Sequence, residues 1–237
     1  MQSTPKPKRR GIISRIFLFL LKLFIYGFLF SLLYILFCKW ISPPVTITQL
    51  NSLISGHGLK RDYVSFDKMS PNIKLAVIGA EDQLFPDHNG FDFKSIEKAM
   101  KHNRKSKSLR GASTISQQVA KNVFLWQHGG YLRKGLEVYF TFMIELLWGK
   151  KRILEMYLNV AETGNGIFGV EAAAKEYFNK SAKNLTKAEA AMIAACLPNP
   201  KVYKVKPLSR YVSSRYPWVL RQMQHLQGDA DIQKLIH

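Results

Sequence analysis

The run PNIKLAVIGAEDQLFPDHNGFD, residues 71–92, joins an apolar helical pattern to a cluster of chemically active side chains. Ser70 is placed to cap the first turn and Pro71 suits the first helical position, so Pro71–Ala80 reads as one helix. Ile73, Leu75, Ala76, Val77, Ile78 and Ala80 make that helix mostly buried. Glu81 and Asp82 therefore leave a rigid, apolar element at its end, followed by Phe85, His88 and a turn-forming Asn89-Gly90. A carboxylate held beside apolar surface loses solvation, which raises its proton affinity and makes it a better general base for a hydroxyl. The competing reading is structural: a solvated helix end, or carboxylates in an ion-pair network.

Working outward, Asp92 caps a second helix, Phe93–Lys105, and KHNRKSKSLR (101–110) is a basic connection able to bend over a site. GASTISQQVAKNVFLW (111–126) resumes the helical pattern. There Thr114 and Gln117 stand at capping-box spacing, and Val119, Val123 and Phe124 face inward. Tyr131–Trp148 is a strongly apolar helix whose first turns carry Arg133, Lys134 and Glu137, with Arg133 and Glu137 on one face. KKRILEMYLN (150–159), VEAAAKEYFNK (170–180) and LTKAEAAMIAACLP (185–198) read as further helices, and GNGIFG (164–169) as a glycine-rich loop. No stretch alternates as a sheet would, so the expected class is mainly α, without internal repeats.

Upstream lies a different kind of segment. Ile16–Cys38 contains 23 residues whose only charge is Lys22. At about 1.5 Å per residue it exceeds a hydrocarbon core of roughly 30 Å. Lys22 can carry its ammonium to the headgroups along its aliphatic stem, and Tyr26, Tyr34 and Trp40 add interfacial character. The run is longer than a signal-peptide core and no small-x-small cleavage site follows Cys38, so an uncleaved anchor is expected. Basic residues precede it and no Lys or Arg occurs between Trp40 and Lys60, which puts the amino terminus in the cytoplasm and the rest of the chain outside. The chain thus divides into a basic tail (1–15), an anchor (16–40), a Pro-containing spacer (41–59), one domain (60–225) and a tail (226–237).

The net charge is +19; setting aside the seven basic and zero acidic residues of the first forty leaves +12 on the remainder. Such a domain seeks anions. On a membrane stalk these are phospholipid headgroups or a lipid-linked phosphate, with no nucleic acid expected. Cys38 in the anchor and Cys196 in an apolar run do not suggest a disulfide, and no residue cluster suggests zinc.

EDQLFPDHNGFD (81–92), GASTISQQVAKN (111–122), RKGLE (133–137), KKRILEMYLN (150–159) and GIFGVEAAAKEYFNK (166–180) occur in that order. Together they resemble the family 51 glycosyltransferases, the peptidoglycan polymerases that extend glycan strands from lipid II. The resemblance covers about residues 60–205. SFDK and SIEK match a transpeptidase Ser-x-x-Lys only loosely and Lys-Thr-Gly is absent, so a monofunctional member is expected. The resemblance implies a lysozyme-like helical catalytic domain with a small membrane-facing lobe, to which Tyr139–Trp148 or the aromatics near Phe124 and Trp126 would contribute.

The implied reaction is attack by the 4-hydroxyl of lipid II on the anomeric carbon of a nascent strand, expelling undecaprenyl diphosphate and inverting an α-diphosphate to a β-1,4 bond. By this resemblance Glu81 is the base and Glu137 a second carboxylate that places cations. Lys121, Arg133 and Lys134 hold the diphosphate. Ser113, Thr114, Gln117, Gln118 and Asn122, at the start of and along the helical run within 111–126, contact substrate. Asp82, Phe85 and His88 shape the Glu81 turn and border the substrate site.

Mg²⁺ or Mn²⁺ assisting diphosphate departure is implied by the same resemblance, with no organic cofactor and no ligand cage legible. Other cell-wall synthesis or division proteins are expected partners, and the cytoplasmic (inner) membrane the expected location. Many members carry an arginine where this chain has Gly129, which removes one diphosphate contact unless Lys98 or the 101–110 run compensates. Two rival functions stand beside this one: a lytic enzyme that cleaves glycan, and a non-catalytic, membrane-anchored scaffold.

Overall fold

The computed structural model describes residues 11–106, 111–127 and 129–237. Most of the basic tail, and Lys107–Arg110 of the basic connection, lie outside the described residues. The chain forms two compact units, Met1–Ile41 and Ser42–His237. The first is one helix, α1 (Ile12–Trp40), long and apolar enough to cross a bilayer, as expected of an anchor.

The second unit is mainly helical among the described residues, with α2 (Ile47–Ile54), α3 (Pro71–Glu81), α4 (Phe93–Lys105), α5 (Ile115–Phe124), α6 (Tyr131–Leu147) and α7 (Lys150–Val160), then α8 (Val170–Phe178), α9 (Lys187–Cys196), α10 (Arg210–Leu226) and α11 (Ala230–Ile236). The expected caps are present: Ser70 accepts from the Ile73 N–H, Asp92 from the Ser95 N–H, and Thr114 with Gln117 closes a capping box. In the core α3 packs with α9 and α10, and α5 with α6 and α7. Ile73, Ile78, Ile115, Ile144, Ile153 and Leu154 are fully buried.

Three expectations need correction. The glycine-rich stretch is not a plain loop: β2 (Glu162–Gly164) and β3 (Ile167–Phe168) form an antiparallel hairpin, and β1 (Lys60–Arg61) pairs with β3 in parallel, Lys60 opposite Ile167. Strands this short, interrupted by a bulge between Glu162 and Gly164, leave no alternating pattern to read. Residues 41–59 are more than a spacer, since α2 carries a complete Thr46–Gln49 capping box and packs on α5. Residues 226–237 are more than a tail. Asp229 caps α11, Ile232 and Ile236 are buried, and the buried Lys74 ammonium donates to the Ile236 carbonyl at 2.9 Å while lying 3.8 Å from the Phe66 ring centroid. Burial pulls the Lys74 pKa below the ordinary lysine range.

The hairpin turn depends on Gly166, whose φ is +71° and where an added Cβ would meet the His57 carbonyl oxygen at 2.1 Å and that of Gly58 at 2.9 Å. Neither backbone oxygen can swing away. Gly166→Ala should therefore cost on the order of 3 kcal/mol. Gly228→Ala, where a Cβ meets nothing within 4 Å, should stay within about 1 kcal/mol of the parent. Urea unfolding of the detergent-solubilised chain compares the two, and equal midpoints would refute the steric account.

Candidate active site

Glu81 is the last residue of α3, and the chain turns sharply out of the helix at Asp82 (φ −160°, ψ 81°). The turn is fixed by Asp82 rather than by solvent. Its Oδ1 lies 2.9 Å from His88 Nε2, and its Oδ2 accepts the Ile115 backbone N–H at 2.9 Å. Because His88 Nδ1 accepts from the Gly90 N–H, Nε2 carries the proton and donates to Asp82. Thr114 Oγ1 donates to the Gly90 carbonyl at 2.7 Å, tying the same turn to the start of α5. Lys150 adds a third tie, reaching both the His88 carbonyl and Glu145, which also accepts from Ser116.

These ties set Glu81 opposite α5. Gln118 Nε2 donates to Glu81 Oε2 at 2.7 Å, and Tyr157 Oη donates to Gln118 Oε1 at 3.2 Å. Burial holds the Tyr157 hydroxyl protonated, far above the usual phenol range, so the amide is oriented with its NH₂ toward the carboxylate. Glu81 keeps part of its surface open to a cleft, yet surrounding protein makes desolvation the largest influence on its pKa, which is raised. The Gln118 hydrogen bond and the charges of Arg215 and Lys121 pull it down, and Asp82 pushes it up.

Glu81 borders two lobes of that cleft. One, of about 400 Å³, is lined by Asp92, Ser95, Lys98 and Ser113; the other, of about 960 Å³, by Gln118, Tyr211, Arg215 and Trp218. One helical turn beyond Gln118, Lys121 opens with Asn122 and Tyr157 into a further cavity of about 170 Å³. Desolvation lowers the Lys121 pKa; Glu137 is the strongest opposing influence, and Arg133 and Lys134 lower it further. On α6, the buried Glu137 accepts from Arg133 Nη1 at 2.7 Å and from Lys134 Nζ at 2.5 Å. The buried Arg133 Nε–H finds no acceptor among the described residues.

Of the residues singled out from sequence, Glu81, Asp82, Lys98, Ser113, Thr114 and Gln118 line the cleft, and Lys121 and Asn122 the adjoining cavity. Glu137, Arg133 and Lys134 form one charged group that acts on Lys121. Several do structural work as well or instead. Phe85 is fully buried beneath the turn, with Lys150 4.6 Å from its ring centroid, and offers no surface to a ligand. Thr114 and Gln117 are buried, each satisfying the other's backbone N–H. Asp82 and His88 hold the turn, and Asp82 also borders the cleft.

Gly129 has φ +157°, and an added Cβ would meet Trp126 Nε1 at 2.9 Å and Arg133 Cβ at 3.0 Å, so a side chain there would press on Arg133 itself. Among the described residues, the site's carboxylates do not form a cage for Mg²⁺ or Mn²⁺. Both Glu137 oxygens face cations, both Asp82 oxygens face donors, and no cluster of three His, Cys, Asp or Glu suited to a metal occurs among the described residues.

The transglycosylase family model matches residues 47–224, spanning every element of this site. The chain belongs to the transglycosylase family. It is a glycosyltransferase. Three similar proteins are each called biosynthetic peptidoglycan transglycosylase. That of Shewanella oneidensis is 44% identical over 95% of this chain and 98% of its own length. That of Escherichia coli is 58% identical over 73% and 72%, and that of Mannheimia succiniciproducens 58% over 70% and 68%.

Sequence reading missed the wall supplied by α10. Tyr211, Arg215 and Trp218 lie four and three residues apart on one helical face, and the Arg215 guanidinium stacks 3.5 Å from the Trp218 ring centroid. That i, i+4, i+7 spacing was the available signal.

Asp82→Ala should lower stability by about 2–3 kcal/mol, because it strands a buried Ile115 N–H and the His88 donor. Urea unfolding in detergent measures it, with Glu81→Gln as a same-size control. A loss no larger than the control's would show that Asp82 does not hold the turn.

Proposed function

We propose that this enzyme is a peptidoglycan glycosyltransferase that polymerises lipid II, with Glu81 as general base. The observation that carries the proposal is a carboxylate at a cleft, hydrogen-bonded to Gln118 one turn of α5 before a half-buried, cavity-lining Lys121 that lies near the Arg133–Lys134–Glu137 group. Glu81 takes the proton of the lipid II 4-hydroxyl as that oxygen bonds to the anomeric carbon of the nascent strand. The bond from that carbon to the diphosphate oxygen breaks, its electron pair leaves with the diphosphate, and Glu81 later returns its proton to solvent. One in-line displacement inverts the α-diphosphate to a β-1,4 linkage.

Lys121, Arg133 and Lys134 receive the departing charge. Glu137 positions them by accepting from Arg133 and Lys134, while Lys121, whose ammonium is disfavoured by burial, gains from an arriving anion. Such cations have no purpose in glycan hydrolysis, which disfavours the lytic alternative. No step is routed through a divalent ion.

The setting follows from the same reading. α1 anchors the enzyme in the cytoplasmic membrane, the basic amino terminus inside and the catalytic unit outside. Tyr131, Leu132, Val138, Phe142 and Leu146 are exposed along α6, an apolar face suited to membrane lipid beside the cation group. Phe124, by contrast, is core: it stacks on Phe140 at 4.7 Å and lies 6.0 Å from Trp148.

Purified full-length enzyme given lipid II should yield polymer, and given finished peptidoglycan should yield no cleavage products. Glu81→Gln should lose roughly 10²–10⁴-fold in rate while remaining folded. Cleavage without polymer would reverse the assignment.

The pH dependence carries its own sign. The base works ionised, and its pKa is raised, so the rate should fall as pH drops through a limb above the ordinary carboxylate range. Arg215 favours the ionised form, so Arg215→Ala should move that limb to higher pH, read from kcat/KM across pH. A limb that stays put or moves down would detach Arg215 from the base.

A further inference from the structure

The short helix α2 has its faces reversed. Thr48, Gln49 and Ser52 are buried, while Ile47, Leu50, Leu53 and Ile54 are 46%, 46%, 53% and 75% exposed. At 3.6 residues per turn those four fall within about one third of the helix circumference, a continuous apolar stripe rather than scattered exposed residues. The polar side is committed to the protein. Gln127 Nε2 donates to Thr48 Oγ1 at 2.8 Å, Gln49 Nε2 to Tyr63 Oη at 2.9 Å, and Ser52 Oγ to the Gly58 carbonyl at 2.9 Å. Turning the helix to hide the stripe would strand each of these partners, so the apolar face stays outward.

Two features of the chain say what meets that face. Only six residues, 41–46, join α1 to α2, a tether of at most about 25 Å. Two of them, Ile41 and Val45, are themselves exposed and apolar. From residue 41 to residue 59 there is no Asp, Glu, Lys or Arg, so neither α2 nor its approach carries a formal charge that would resist an apolar medium. The capping box of Thr46 and Gln49 also satisfies backbone donors at the helix start without water.

We propose that the outward face of α2 rests in the headgroup–acyl boundary of the membrane that holds α1, so that lipid rather than another protein covers it. The inference rests on the reading of α1 as a membrane anchor. A helix facing water puts its polar side out; α2 is patterned as a helix whose outer medium is apolar. This surface is separate from the exposed apolar face of α6. It bears on the site through Gln127, which donates both to Thr48 of α2 and to Asn122 of α5 at 3.0 Å. Lipid contact at α2 thereby braces the helix that carries Gln118 and Lys121.

The test places the full-length chain in nanodiscs of phosphatidylethanolamine and phosphatidylglycerol, one chain per disc, with a fluorophore on Ile54→Cys. Cys38 and Cys196 are buried, and the unsubstituted chain gives the labelling background. Lipids bearing a nitroxide high on the acyl chain should quench the label strongly, and iodide in the water should quench it severalfold less than the free dye. Adding Leu50→Gln and Leu53→Gln, both at exposed positions, should cut the lipid quenching severalfold while the circular dichroism stays that of the parent.

A label quenched by iodide and not by lipid would overturn the proposal by putting α2 in water. Protection from both quenchers would overturn it in favour of a protein cover, and protection seen only with several chains per disc would name a second copy as that cover. Lipid quenching unmoved by the two glutamines would overturn it as well. Failure of the anchor reading is distinguishable, because a label on Phe24→Cys, exposed on α1, would then escape lipid quenching too.

Discussion

A single carboxylate, that of Asp82, holds together two segments whose relative position makes the site. One oxygen takes the His88 imidazole and the other the first backbone N–H of α5. The turn after α3 and the start of α5 are 33 residues apart in sequence, and neither would locate the other by local propensity. The bond to a helix N-terminus gains from the partial positive charge there, and burial makes leaving either partner unpaired costly. Thr114, Lys150 and the Ser116–Glu145 pair reinforce the same junction. The ties of Asp82 hold the end of α3 against α5, where the preceding carboxylate accepts from Gln118.

That placement sets up opposed influences on Glu81. Desolvation raises proton affinity, which suits a base, but carried too far it would leave the group neutral. Gln118, Arg215 and Lys121 each favour the ionised form, and they come from α5 and α10, on separate elements of the fold. Gln118 is aimed by a Tyr157 hydroxyl that burial keeps protonated, so the hydrogen bond reaching Glu81 has a defined sense. The motif around Tyr157 is otherwise structural. Glu155 accepts the Phe66 N–H, Asn159 exchanges hydrogen bonds with Val64, and Lys150 supports the turn. A run that looks functional by family resemblance thus does most of its work as a brace for one tyrosine.

Local chemistry made much of this legible. Ser70, Asp92 and Thr114 announce helix starts because a side-chain acceptor three residues ahead of a backbone N–H is a contact within one turn. The helical class followed from the apolar spacing of α3, α5 and α6, and Glu81 from a carboxylate closing an apolar helix. What stayed hidden depends on distance along the chain. The small sheet pairs residue 60 with residue 167, α11 is held by a lysine 162 residues earlier, and the α10 wall meets Glu81 only in the folded chain. Thr114 and Gln117 illustrate an overlap: polar residues at a helix start serve the helix, a ligand or both, and here their reciprocal bonds close the capping box while Thr114 also lines the cleft.

The cation group shows why its second carboxylate belongs there. Lys121, Arg133 and Lys134 would repel one another if left alone, and each desolvated charge would carry a further penalty. Glu137 removes most of that cost by accepting from both Arg133 and Lys134, and it is also the strongest influence keeping Lys121 charged. The balance is incomplete: one carboxylate faces three cations, leaving net positive charge. On the proposed reading a diphosphate would offset it, and its departure with a lipid tail would restore the imbalance. On the proposed reading the group would bind a leaving diphosphate more tightly as negative charge accumulates on it, which is the direction a transition state requires.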